Sequence, residues 1–112
     1  MITVIAEIKV RSGHLDEIVK RFQALQAEVL AEVLAEEGCY QYAPLTDTLP
    51  AIEPQTLAPD TIFMLERWGS HAHLDAHLKT AHMVRHHKET QDQVESVTLR
   101  ILTDRSAIST QK

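Results

Sequence analysis

The chain has 112 residues, 44% of them hydrophobic, which bounds it to one compact domain with a modest core. A net charge of −5 argues against a nucleic-acid partner, because phosphate recognition needs clustered Lys and Arg. No run approaches the ~18 apolar residues of a membrane span, the N-terminus lacks a signal-peptide layout, and Cys39 is the one cysteine. A cytoplasmic protein without an internal disulfide is expected, with Cys39 a small packed side chain.

Residues 2–10 alternate. Ile2, Val4, Ala6, Ile8 and Val10 share one face and Thr3, Glu7 and Lys9 the other, which predicts a half-buried strand. Ser12-Gly13 ends it, Ser12 being a candidate N-cap with Asp16 and Glu17 in the first turn. Leu15, Ile18, Val19, Phe22, Leu25 and Val29 then recur at helical spacing, and this helix stops before Gly38. Within it Ala27-Glu28-Val29-Leu30 repeats at once as residues 31–34, extending the same stripe by about one turn.

A second strand over 39–45 places Tyr40 and Tyr42 on one face. The 47–60 stretch holds three of the four prolines and is predicted to be an ordered loop, anchored by Leu49, Ile52 and Leu57 on the body or a partner subunit. Residues 61–68 form the third strand, with Met64, Glu66 and Trp68 pointing one way. Gly69-Ser70 opens a short helix to Lys79, Thr80 caps a second running to about Asp92, and 94–103 is the last strand. A polar tail, 104–112, follows a single domain over 1–103.

This order, βαββαβ with the second helix broken in two, predicts a ferredoxin-like α+β fold with a four-stranded antiparallel sheet. Helices cover one sheet face. Ile5, Phe63 and Leu65 fall on the other, too much apolar surface to leave wet, so a homodimer through that face is expected.

Chemistry concentrates between Phe63 and His87, which hold the one tryptophan, Glu66 and six of seven histidines. His77 shares a helical stripe with Leu74, Leu78 and Ala81, placing it on the packed face. His82 lies just inside a helix start, whose positive end disfavours an imidazolium and suits a proton acceptor. Glu66, between Met64 and Trp68, is expected to be partly buried with its carboxyl raised unless a histidine pairs with it. His73 with His77, and His82 with His86, are i,i+4 pairs able to share a helix face. A metal site needs three or four convergent ligands, and His71, His73 and His86 read as solvent-facing, so no metal is expected.

The chain resembles the antibiotic biosynthesis monooxygenase family of dimeric α+β barrels. The likeness is carried by Ile2-Thr3-Val4-Ile5-Ala6, Gly13, Ala35-Glu36-Glu37-Gly38-Cys39, Leu65-Glu66-Arg67-Trp68, Leu74-Asp75-Ala76-His77-Leu78 and His82. It implies a small homodimer whose subunits each enclose a cavity between helices and sheet. Activities in the family include cofactor-independent oxygenation of phenols and quinols, haem degradation and an isomerisation. Two departures stand out. Met64 occupies the place of an asparagine in aromatic-polyketide monooxygenases. Ile8 occupies that of an asparagine in haem-degrading relatives, which also carry a tryptophan near the position of His77.

The leading expectation is therefore a monooxygenase acting without a cofactor on a small phenol or hydroquinone. His82 would be the base, aided by His77 or Glu66, and Trp68, Met64, Phe22 and Tyr42 would bind the ring. The rival readings are a non-catalytic dimeric module for a small ligand and a haem-handling protein using His87, which aligns roughly with the haem ligand of those relatives.

Overall fold

The computed structural model describes residues 1–31 and 36–106. Its elements run β1 (Ile2–Val10), α1 (Leu15–Ala31), β2 (Cys39–Leu45), β3 (Thr61–Trp68), α2 (His71–Leu78), α3 (Ala81–Thr90) and β4 (Val94–Leu102). The sheet order is β2-β3-β1-β4, all neighbours antiparallel, which is the ferredoxin-like α+β plan read from the sequence.

Register fixes which side chains meet. Pairing β1 with β3 sets Ile2 opposite Trp68, Val4 opposite Glu66, Ala6 opposite Met64 and Ile8 opposite Ile62. These eight are buried and form the inner face, against which α1 lays Ile18, Phe22 and Leu25. The alternation that made β1 legible thus carries over to β3, because paired residues on antiparallel strands share a face. Ile5, Phe63 and Leu65 stand together on the outer face and are only half-buried.

Several local expectations need correction. Helix α1 begins at Leu15, with His14 O accepting from Ile18 N at 3.1 Å, so Ser12 and Gly13 form the turn and Ser12 is not its cap. The second Ala-Glu-Val-Leu copy and the helix end fall mostly on 32–35, outside the described residues. Tyr40 and Tyr42 do not share a face: Tyr40 is 67% exposed and Tyr42 only 4%. A bulge causes this. Cys39 pairs with Trp68 and Gln41 with Arg67, leaving Tyr40 as the extra residue that flips the alternation. Leu49, Ile52 and Leu57 are exposed within the chain, so they do not anchor the 47–60 loop on its own body. The loop is organised instead by its polar groups, with Asp47 Oδ2 accepting from Ala58 N and Gln55 bonding both Thr48 O and Ile52 N.

Capping proceeds as read at both short helices. Ser70 Oγ accepts from His73 N to start α2, and Thr80 Oγ1 accepts from Met83 N to start α3. The same Thr80 hydroxyl donates to His77 O at 2.8 Å, so one side chain closes α2 and opens α3.

Candidate active site

Four elements bring acid–base groups to the inner side of β3. Glu66 is 7% exposed, and Trp68 Nε1 donates to its Oε1 at 2.9 Å. Burial is the main cause pushing the Glu66 carboxyl up from 4.5 to about 7; the indole bond opposes it and the charge of Glu36 adds to it.

Beside the indole lies a second cluster. His77, in the last turn of α2, places Nδ1 2.8 Å from Glu36 Oε1. His82, in the first turn of α3, places Nε2 3.5 Å from Glu36 Oε2. The His77 ring packs 4.5 Å from Trp68 and 5.4 Å from Tyr42, centroid to centroid. Burial, as the first cause, holds the His77 imidazole below its ordinary range, although its bond to Glu36 pulls the other way. Gly38 permits this convergence. Its φ is +84°, and a Cβ there would meet the His73 ring at 2.3 Å, so α2 can approach the turn holding Glu36 only because position 38 has no side chain.

A cavity of about 480 Å³ lies between the sheet, α1 and α3. Met64, Glu66 and Tyr42 supply its sheet wall, Phe22 its α1 side, and Met83 and His86 its α3 side. Across it the Tyr42 hydroxyl reaches Met83 Sδ at 3.8 Å. Val97 and Leu99 of β4 point to the same side as Ile8 and Ala6, yet are 51% and 47% exposed, so the cavity is open along that strand.

Of the residues singled out from the sequence, Glu66, Met64, Phe22, Tyr42 and His87 line this cavity. His77, His82 and Trp68 are not on its wall; they gather with Glu36 next to it, and His82 borders a separate cleft of about 200 Å³. His86 was expected in solvent and is instead 6% exposed, its ring 4.7 Å from Phe22. Burial pushes its imidazole down to about 4. The inward stripe of α3 runs Met83, His86, Thr90, and that spacing was the signal available in the sequence. His73 is likewise partly packed, its Nδ1 3.1 Å from Ser70 Oγ. Glu36 carried no sequence signal as a site residue beyond its place in the Glu-Glu-Gly turn. His71 is exposed, as expected.

A ferredoxin-like sheet with an apolar cavity of small-molecule size over one face, and buried carboxyl and imidazole groups at its wall, defines the class of small α+β protein to which the chain conforms. Residues 1–89 match the model of the antibiotic biosynthesis monooxygenase family. The chain is 42% identical over 104 residues to the Escherichia coli protein named probable quinol monooxygenase YgiN, covering 91% of this chain and 96% of that one. The chain belongs to the antibiotic biosynthesis monooxygenase family. Among solved structures, PA3566 from Pseudomonas aeruginosa superposes with a TM-score of 0.74 at 26% identity, over 94% of both chains. Another described as an antibiotic biosynthesis monooxygenase gives 0.67 at 22% identity, over 93% of this chain and 98% of that one, a likeness of fold.

Proposed function

We propose that the chain is a cofactor-independent monooxygenase of a small hydroquinone, with Glu66 as the group that takes the phenolic proton. The observation that carries this reading is a mostly apolar cavity of about 480 Å³ with a buried carboxyl on its wall that titrates at about 7. Its volume lies in the range of small-molecule sites, roughly 300–1,000 Å³. The relationship to YgiN, whose name specifies quinol oxygenation, supports the substrate class.

The chemistry balances without another reactant: a hydroquinone and O₂ give a hydroxyquinone and water, the substrate supplying all the electrons. What the protein must supply is a base and a dry chamber, since the deprotonated ring is the better reductant of O₂. Trp68 fixes Glu66 through one oxygen, leaving the other without a protein partner among the described residues to meet a phenolic O–H. Met64, Phe22 and Tyr42 hold the ring from the sheet and α1, and the side open along β4 must be covered for the chamber to be dry. His77, Glu36 and His82 act from beside the cavity as positioning residues: His77 packs the indole that orients Glu66, and the Glu36 charge helps keep Glu66 protonatable near neutrality. A homodimer through the outer sheet face would complete the molecule.

Oxygen uptake with a panel of hydroquinones tests this reading. Turnover should rise with pH through about 7 as Glu66 ionises. Glu66→Gln should lower it ~10²-fold or more, the range of a positioned base. His82→Ala, which touches the cavity only through Glu36, should cost less than Glu66→Gln, and His71→Ala should change little. Full turnover by Glu66→Gln on a confirmed substrate would refute the assignment. Absence of turnover on every quinol, with ligand binding retained, would favour a non-catalytic binding module.

A further inference from the structure

We propose that Glu36, His77 and His82 form a binding site for one divalent transition-metal ion of the zinc class. The three residues come from three elements: the turn before β2, the last turn of α2 and the first turn of α3. One ligand atom from each lies within 4.8 Å of the others. Two imidazoles and one carboxylate are the donor set of open zinc and non-haem iron sites, and they suit borderline metals more than calcium or magnesium.

Two independent features point to a ligand rather than to an ordinary hydrogen-bonded triad. All three side chains are withdrawn from water, His77 at 1% exposure, Glu36 at 8% and His82 at 17%. Yet Glu36 Oε2, His77 Nε2 and His82 Nε2 are buried without a hydrogen-bond partner. One proton shared between His77 Nδ1 and Glu36 Oε1 accounts for the 2.8 Å contact, but leaves Oε2 and the His82 nitrogen facing each other at 3.5 Å. Buried polar atoms in native proteins are nearly always satisfied. A cation taking lone pairs from Glu36, His82 Nε2 and His77 Nδ1 satisfies the carboxylate and His82, and leaves His77 Nε2 as the outer nitrogen of the ligand. Tetrahedral zinc at its usual bond lengths separates neighbouring ligands by about 3.3 Å; the two Glu36–histidine distances, 2.8 and 3.5 Å, bracket this, and the set as a whole spans up to 4.8 Å, so small side-chain shifts would close it on an ion.

His82 borders a cleft of about 200 Å³ in which Arg21 and Arg85 balance Glu28 and Glu89, Arg21 being paired with Glu89, so the cleft has no net charge to draw a cation inward. Two features limit affinity. The N-terminal end of α3 carries partial positive charge. His77 has ring faces of Trp68 and Tyr42 around it, and its free nitrogen lacks the acceptor that usually supports a metal-bound histidine. The ion is assigned a structural part, clipping α2 and α3 to the turn before β2; by offsetting the Glu36 charge it would also let the Glu66 carboxyl ionise at lower pH than in the metal-free protein. Helical spacing within the sequence could not reveal this set, because no two of its members form an i,i+4 pair.

Titration calorimetry of the metal-stripped full chain with Zn²⁺ reads the site directly, and Co²⁺ reports its geometry through visible d–d absorption. One equivalent should bind, with a tetrahedral cobalt spectrum and a rise in melting temperature. Glu36→Gln and His82→Ala should each weaken binding at least about tenfold, while His71→Ala, at an exposed histidine, should not. Circular dichroism shows whether each variant remains folded, and His82→Ala carries the test if Glu36→Gln does not. No stoichiometric binding, or binding lost in His71→Ala but kept in His82→Ala, would overturn the proposal and mark surface histidines as the binders. Both readouts are independent of turnover, so failure here leaves the oxygenase reading intact.

Discussion

Two buried ionisable groups on the cavity wall pull the pH dependence of stability in opposite directions. Folded Glu66 keeps its proton to about 7, whereas the unfolded chain releases it near 4.5. The folded state therefore binds the extra proton, and this contribution to stability is lost as pH rises from about 4.5 to 7. Folded His86 refuses a proton until about 4, whereas the unfolded chain accepts one near 6.5. Its contribution is lost as pH falls across that window. Glu66 and His86 largely offset one another, and the lowered His77 adds a rise, so the wild type should gain stability only gently with pH between 4.5 and 7 in urea titrations. Glu66→Gln removes one arm, so its stability should climb with pH over this window. Relative to wild type it should gain on the order of 2–3 kcal/mol at pH 8. An unchanged profile would mean that Glu66 is ionised in the folded protein at far lower pH.

At the scale of elements, the junction between α2 and α3 is where fold and site depend on the same atoms. Thr80 Oγ1 donates to His77 O and accepts from Met83 N, joining the end of one helix to the start of the next. His77 and His82 flank it by three and two residues, so their approach to Glu36 is set by this cap. Thr80→Ala should cost about 1–2 kcal/mol, the usual loss for an N-cap, measured by chemical denaturation, and Thr80→Ser should recover most of it. Equal destabilisation by both would show that the methyl group matters more than the hydroxyl. The bulge in β2 has a comparable influence, since it turns Tyr42 inward to the cavity and sends Tyr40 outward.

For the whole molecule, apolar surface is left on the outer sheet face, on the 47–60 loop and along β4, where Val97, Leu99, Ile101 and Leu102 are exposed. Ile5, Phe63 and Leu65 are side by side across β1 and β3, and Leu49, Ile52 and Leu57 extend from the loop into solvent. Such surface in a chain of this size is an interface signature. Phe63→Glu should convert a dimer to monomer or aggregate in light scattering, because a charge buried in a two-fold interface meets its own copy. A dimer of unchanged mass would show that the copies meet elsewhere, with the open edge of β4 the next surface to examine.

By itself the sequence determined the sheet, the broken second helix and the side of β3 on which Glu66 stands. Those features follow from local periodicity: alternate residues share a strand face, residues three and four apart share a helix face, and caps mark the ends. The family followed from short motifs spread along the chain. Only the tertiary structure decided which acid–base groups meet. Glu36 and His77 are 41 residues apart, and no local spacing encodes their contact. A single extra residue in β2 reversed the side taken by Tyr40, and the inward stripe of α3 drew His86 from its expected place in solvent into the cavity wall. The boundary that puts Glu66 on the cavity and His82 on a neighbouring cleft depends on how helices pack over the sheet, and packing is a property of contacts between elements, not of any one of them.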